Sequence, residues 1–350
     1  MTLRAAAFAI PGDLTTLTGG YIYERRLLEG LRAQGRAVAH IQLGASWPDP
    51  TVGDMEDAIN RLCAVEPARA LILDGFISGA ADTAGLARVR APMVAMVHHP
   101  LALEQGLGAA RRAQLFASER ANLALMAHVL VPSPHTAATL VAQYDVAPGR
   151  ITIARPGTDR PMVRPAPIDP PLILAVGIQH PRKGHDVLLA ALAQIQGAAW
   201  QAVIVGGTYD AAHSAALARQ LLALGLNRRV RFAGRVSAAD LAGLYAQASI
   251  FALATRYEGY GIVFDEALSH GLPIVSCRTG AVPDTVPPDA GLLVPPDAPE
   301  AFARALDSLL QDGALRRQMA RAAAAAGAQL PGWRDTAACA GRVLDHLTRL

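Results

Sequence analysis

Short apolar runs recur along the first half of the chain: RAAAFAI (4–10), RAVAHIQL (36–43), ALILDGF (70–76), PMVAMVHH (92–99) and HVLVPS (128–133). Each is brief and bounded by Gly, Pro or Ser, the pattern of a buried parallel strand. Helical spacing fills the gaps, as in Tyr21–Gln34, with apolar positions 22, 27, 28 and 31 and a stop at Gly35. From Arg155 to Pro171 the alternation breaks in RPGTDRPMVRPAPIDPP, whose six prolines cannot sustain a ladder and predict an extended linker. It then restarts with LILAVGI, helix 184–196, QAVIVGG, helix 211–225, VRFAG, helix 238–247, SIFALA, helix 262–270, PIVSC, GLLVP and helix 298–311. Strand–helix alternation on both sides of a linker predicts an α/β chain of two doubly wound, Rossmann-like domains. The expected boundaries are 1–160, 161–332 and a closing helical stretch, Trp333–Leu350. Such domains bind ligands at the carboxyl ends of their strands, in a cleft between the two sheets.

Composition narrows the class. Of 350 residues, 52% are hydrophobic and 17% charged, so the chain folds around large cores. Residues 1–150 balance thirteen Arg against thirteen acids, and the net charge of +3 is too mild and spread for a nucleic-acid groove. Cys63, Cys277 and Cys339 are isolated, with no His/Cys cluster, which predicts free thiols and no zinc site. The apolar run at the start ends at Pro11-Gly12, too brief for a membrane span, so the expectation is a cytoplasmic protein. Lys183 is the single lysine. Where every other cation is Arg, it marks either a place that needs a compact point charge or a chance surface survivor.

Four stretches carry candidate chemistry. In SIFALATRYEGYGIVFDEALSHG, Gly259 and Gly261 lead into a helix starting near Ile262, whose amide N–H groups and positive end suit an anion such as phosphate. Glu258 and Glu266, eight positions apart, could flank a bound molecule and accept its hydroxyls; a plain strand–helix turn with a dipole glutamate fits the spacing too. AVGIQHPRKGHDVLLAAL ends a strand at Gly177 and delivers Arg182 and Lys183 before a helix, a pair suited to a diphosphate. TLTGGYIYERRLLEGL places Gly19 and Gly20 at a helix entry, which a tight capping turn also explains. MVHHP sets His98 and His99 at a strand end, where one could face a ligand or cap the turn before Pro100.

Together these stretches resemble glycosyltransferase family 4, retaining enzymes with the two-domain GT-B fold. The likeness is most specific over residues 170–310, in Glu-Gly-x-Gly, the E-x(7)-E pair and the following Gly-x-Pro. It implies an N-terminal acceptor-binding domain, a C-terminal donor-binding domain and a last helix that crosses back to the first. By this resemblance Glu266 holds the ribose of a nucleotide diphosphate-sugar, and Glu258 contacts the donor sugar beside Gly259, Tyr260, Gly261 and Ile262. Lys183 neutralises the diphosphate near Gly177, Gly20 lies beside the phosphates or acceptor, and His98 or His99 lies beside the sugar. One departure stands out. The family commonly carries Arg directly after the strand-end glycine, where this chain has Ile178, and Arg182 is the candidate replacement.

The implied activity is retaining transfer of a hexose-type sugar to a hydroxyl of a glycan, lipid-linked or small-molecule acceptor. No D-x-D motif occurs, so neither a metal nor another cofactor is expected. A nucleotide-sugar epimerase or a non-catalytic nucleotide-sugar binder of the same fold is the alternative. Helix 109–127, with Arg111, Arg112 and Arg120 beside an apolar face, could make peripheral contact with the inner face of a membrane or stand as a solvated helix on the core.

Overall fold

The structure is a computed structural model and describes residues 3–347. The chain divides into two compact units, Met1–Gly157 with Pro331–Leu350, and Thr158–Leu330. The break at 157/158 falls inside the proline-rich segment, three residues before the boundary expected at 160/161.

The first unit is built on a six-stranded parallel sheet of β1 (Ala6–Pro11), β2 (Val38–Leu43), β3 (Ala70–Asp74), β4 (Met93–Met96), β5 (His128–Val131) and β6 (Ile151–Ile153), in the order β2-β1-β3-β4-β5-β6. β1, β3 and β4 are buried at every position, as strands covered on both faces must be, which is why they read as unbroken apolar runs. Among the expected strands that end early, two bear on the site. Asp74 accepts a hydrogen bond from the Phe76 amide at 2.7 Å and caps helix Gly75–Ala80, so the tail of ALILDGF turns helical. β4 stops at Met96, leaving His98 and His99 on the loop beyond it. The last helix, Trp333–His346, belongs to this unit, and residues 348–350 of the expected stretch lie outside the described residues. Its Trp333 ring meets Tyr23 edge-on at 5.8 Å, and Asp345 pairs with the buried Arg36 at 2.8 and 2.9 Å.

The second unit repeats the plan with β7 (Leu172–Val176), β8 (Gln201–Val205), β9 (Val230–Gly234), β10 (Ala248–Leu253), β11 (Ile274–Cys277) and β12 (Gly291–Val294), ordered β12-β11-β10-β7-β8-β9 and all parallel. One face of the sheet is covered around Leu188, Trp200 and Phe302, the other around Phe251, Phe264 and Leu268. In each sheet the strand order reverses once, between β1 and β3 and between β7 and β10. The loops after those strands diverge and leave a crevice at the carboxyl edge.

Candidate active site

In the second unit the loops after β7 and β10 bring Lys183, Arg182 and Glu258 together. The Lys183 Nζ donates to Glu258 Oε1 at 2.6 Å, and Arg182 Nη1 reaches Glu258 Oε2 at 3.4 Å and the Tyr257 carbonyl at 3.0 Å. The Thr255 hydroxyl adds a contact to Glu258 Oε1 at 3.0 Å. Glu258 is buried; burial opposes its ionisation, but the charges of Lys183 and Arg182 outweigh it and hold the carboxyl below its usual range. Ile178 stands where the resemblance expects Arg, and the Arg182 guanidinium lies in the same cluster as Lys183.

Local geometry fixes this arrangement. The Lys183 stem lies across Gly177, where an added Cβ would sit 3.2 Å from Lys183 Cδ. Gly184 takes φ +61° and ends the turn Pro181–Lys183, with the Ala254 carbonyl so close that any side chain would collide. His185 is buried and its pKa is lowered to about 4 by that burial, so its neutral ring donates from Nε2 to the Gly177 carbonyl at 3.1 Å. Arg256 braces the two loops: it grips Asp186 with both arms at 3.0 and 2.7 Å and Asp297 at 2.7 Å, while its amide donates to the Arg182 carbonyl at 2.7 Å.

Beyond Glu258, Gly259 is buried and the Tyr260 side chain is turned inward, its hydroxyl donating to Asp265 Oδ2 at 2.5 Å. Gly261 takes φ +89° at the N-cap of helix Ile262–Ser269, so the first amides of that helix stand beside the Glu258 loop. Glu266 is one turn into the helix and accepts from the Tyr245 hydroxyl at 2.7 Å; burial raises its pKa, and the Tyr245 hydrogen bond counters part of that rise. The two glutamates therefore have separate partners.

In the first unit, the carboxyl ends of β1, β3 and β4 gather Gly20, Glu24, Asp74 and His98. His98 packs against the first turn of helix Gly19–Ala33: a Cβ on Gly20 would lie 3.4 Å from its Cδ2. Its Nε2 is 3.5 Å from Glu24 Oε1. His99 turns instead toward Glu104, with Nε2 and Oε2 3.1 Å apart. Gly19 begins the helix. Sequence reading singled out Gly20 and His98 but missed Glu24 and Asp74. The signal was present: Glu24 extends the buried stripe Leu27, Leu28, Leu31 by one turn, and an acid on an apolar stripe is unusual. Helix Ala109–Leu125 commits two of its three noted arginines to local partners, Arg111 to Asp49 and Arg120 to Asp145.

Two all-parallel Rossmann-like units in one chain, each with polar groups at its sheet's reversal point, define the GT-B architecture. Sucrose-phosphate synthase from Thermosynechococcus elongatus superposes with a TM-score of 0.83 over 98% of this chain and 99% of that one, at 22% identity. The Anabaena protein HepE, in complex with UDP-glucose, gives 0.77 over 98% and 100%, at 16% identity. Residues 161–326 match the family model described as glycosyl transferases group 1. That segment, a little under half of the chain, carries the likeness to this group, the family 4 type its motifs resemble. Curated relatives include D-inositol 3-phosphate glycosyltransferase of Kineococcus radiotolerans, 32% identical over 57% of this chain and 52% of that protein. The counterpart in Mycobacterium tuberculosis is 30% identical over 59% and 46%. The chain spans about half the length of the curated relatives it matches.

Proposed function

We propose that the protein is a retaining glycosyltransferase that moves a hexose-type sugar from a nucleotide diphosphate-sugar to a hydroxyl acceptor, without a metal. The carrying observation is the cluster of Lys183 and Arg182 on the buried Glu258 carboxylate, beside the Gly261 helix entry. Two cations against one carboxylate leave a local excess of one positive charge, and the helix N-terminus adds amide donors. That combination neutralises a departing diphosphate, the largest electrostatic demand of glycosyl transfer. Because Lys183 supplies a point charge and Arg182 a fork, the pair provides what a divalent ion would otherwise supply. Arg182 takes the place of the arginine missing at Ile178.

Donor binding requires Lys183 to exchange Glu258 for phosphate oxygens. Glu258 is then released, still ionised, to accept hydroxyls of the donor sugar, while Glu266, oriented by Tyr245, accepts those of the ribose. Attack occurs on the face the diphosphate leaves, with a phosphate oxygen taking the acceptor proton. The named relatives and HepE point to UDP-sugars and a phosphorylated polyol as the first donors and acceptor to try. The protein is incubated with UDP-, GDP- and ADP-sugars and with acceptors including D-inositol 3-phosphate, and nucleotide diphosphate release is followed. Turnover supports the reading. Tight donor binding with no release on any acceptor refutes transfer and favours a binding protein.

A further inference from the structure

We propose that Glu24 and Asp74 are positioning residues for His98: a buried acid–carboxylate pair that fixes the ring and governs whether its Nε2 carries a proton. This rests on the reading that His98 serves the transfer reaction.

Three elements converge on the pair. Glu24 comes from the helix after β1, Asp74 from the end of β3 and His98 from the loop after β4, and one side-chain donor atom of each lies within 4.8 Å of the others. Glu24 is 1% exposed, and its Oε1 has no hydrogen-bond partner; it points toward the His98 Nε2, 3.5 Å away. Gly20, one turn earlier on the same helix face, lies against the same ring edge. The ring is also held by Tyr23, edge-on at 5.4 Å, whose hydroxyl is anchored on the Ala154 carbonyl at 2.7 Å. Asp74 is fixed by capping Phe76, and its carboxyl lies within 4.8 Å of the Glu24 carboxyl and the His98 ring.

Two carboxyl groups so close and so buried cannot both ionise, so they hold one proton between them. Burial raises Glu24 to about 7 and Asp74 well above its usual range, the latter reinforced by Glu24 itself. Burial lowers His98, and the charge on Asp74 opposes that. The other titratable groups near the pair are Tyr21, whose hydroxyl donates to the Pro11 carbonyl, and Tyr23; both are pushed up by burial and stay neutral. The pair's single negative charge is thus the tunable neighbour of the imidazole.

The test uses the full chain, with His98 titrated by NMR in the wild type and in E24Q/D74N, and with the pH profile of transfer measured on both. The double variant is isosteric and removes the charge. His98 is expected to titrate at lower pH, and kcat to fall on the order of tenfold to a hundredfold. The donor KM is expected to change by less than about twofold, because Lys183 and Glu258 are untouched. The limb of the kcat profile that follows His98 moves in step with the NMR titration. An unchanged His98 titration overturns the proposal, as does lost activity with an unshifted profile, which indicates a structural role. One equivalent of zinc retained by the wild type and lost in the variant also overturns it, since a cation would then offset the carboxylates. If the wild type turns over no donor, the proposed function fails, and the NMR titration still decides this inference.

Discussion

Replacing Lys183 by Met, Glu258 by Gln, and both together separates what the buried ion pair does for the fold from what it does for the ligand. Removing one member of a buried pair typically costs about 3–5 kcal/mol, because the other charge is stranded. Here Arg182 at 3.4 Å and Thr255 at 3.0 Å remain on Glu258, so K183M should cost less, roughly 2–3 kcal/mol. E258Q leaves a neutral acceptor for Lys183 and should cost a similar amount. K183M/E258Q strands neither of the paired charges and should return to within about 1 kcal/mol of the wild type. Donor affinity behaves differently. Losing a charge-assisted contact to phosphate is worth about 1.5–3 kcal/mol, roughly a tenfold to hundredfold weaker Kd, and the double variant should not recover it. The acid limb gives an independent sign. Glu258 is depressed in the folded state, so its contribution is complete above its ordinary value of 4.5 and is lost as pH falls through the folded value. K183M should therefore unfold at a higher pH on the acid side. Calorimetric donor binding and thermal unfolding against pH measure all of this. K183M with wild-type stability and donor affinity, or a double variant that regains affinity, would refute the assignment.

Three further outcomes follow from the same loops. Gly280→Ala should weaken donor binding and lower the melting temperature, since Gly280 takes φ +50° with the Glu258 carbonyl against it; the cost is about 1–3 kcal/mol, read by thermal shift. Arg256→Lys keeps the charge but loses the fork on Asp186, and the donor KM should rise roughly tenfold with kcat less affected, as steady-state kinetics would show. Lys183→Arg should keep stability within about 1 kcal/mol yet bind donor roughly tenfold more weakly, because a planar fork cannot replace a point charge laid across Gly177; wild-type affinity in a binding titration would mean the lone lysine is an accident of composition.

Much of the architecture was legible from periodicity. Strands buried on both faces write themselves as short apolar runs, and β9 and helix Ala238–Gln247 fall on the residues expected. Helix Gly313–Ala328 was not foreseen, because a run rich in alanine has little contrast between its faces. Strand β6 is three residues long, with Ile151 and Thr152 half-buried and Ile153 exposed, too little for a pattern. The site divides in the same way. Residues that follow a strand in sequence, such as Lys183, Glu258 and His98, were found by motif. Their partners Asp74, Thr255, Tyr245 and the Arg256–Asp186 brace were not. Asp74, Tyr245 and the Arg256–Asp186 pairing come together only through strand order, which a linear pattern does not contain, while Thr255 sits three residues before Glu258 without a motif to mark it.

The two reversal points share a topology and differ in electrostatics. After β7 and β10, a buried carboxylate stays ionised because two cations lie within 3.4 Å of it. After β1, β3 and β4, two buried carboxyls lie together with only a histidine beside them, and burial keeps a proton on the pair. The first arrangement stores fixed charge, which suits a ligand that arrives charged, since lysine can exchange one anion for another without changing its own protonation. The second stores a proton near neutral pH, which suits a group that must gain or lose one. A chain that needed only anchoring at both crevices would have no reason to keep an acid on the buried stripe of its first helix. Glu24 is therefore the residue whose replacement by Gln should cost function while relieving the fold of a burial penalty.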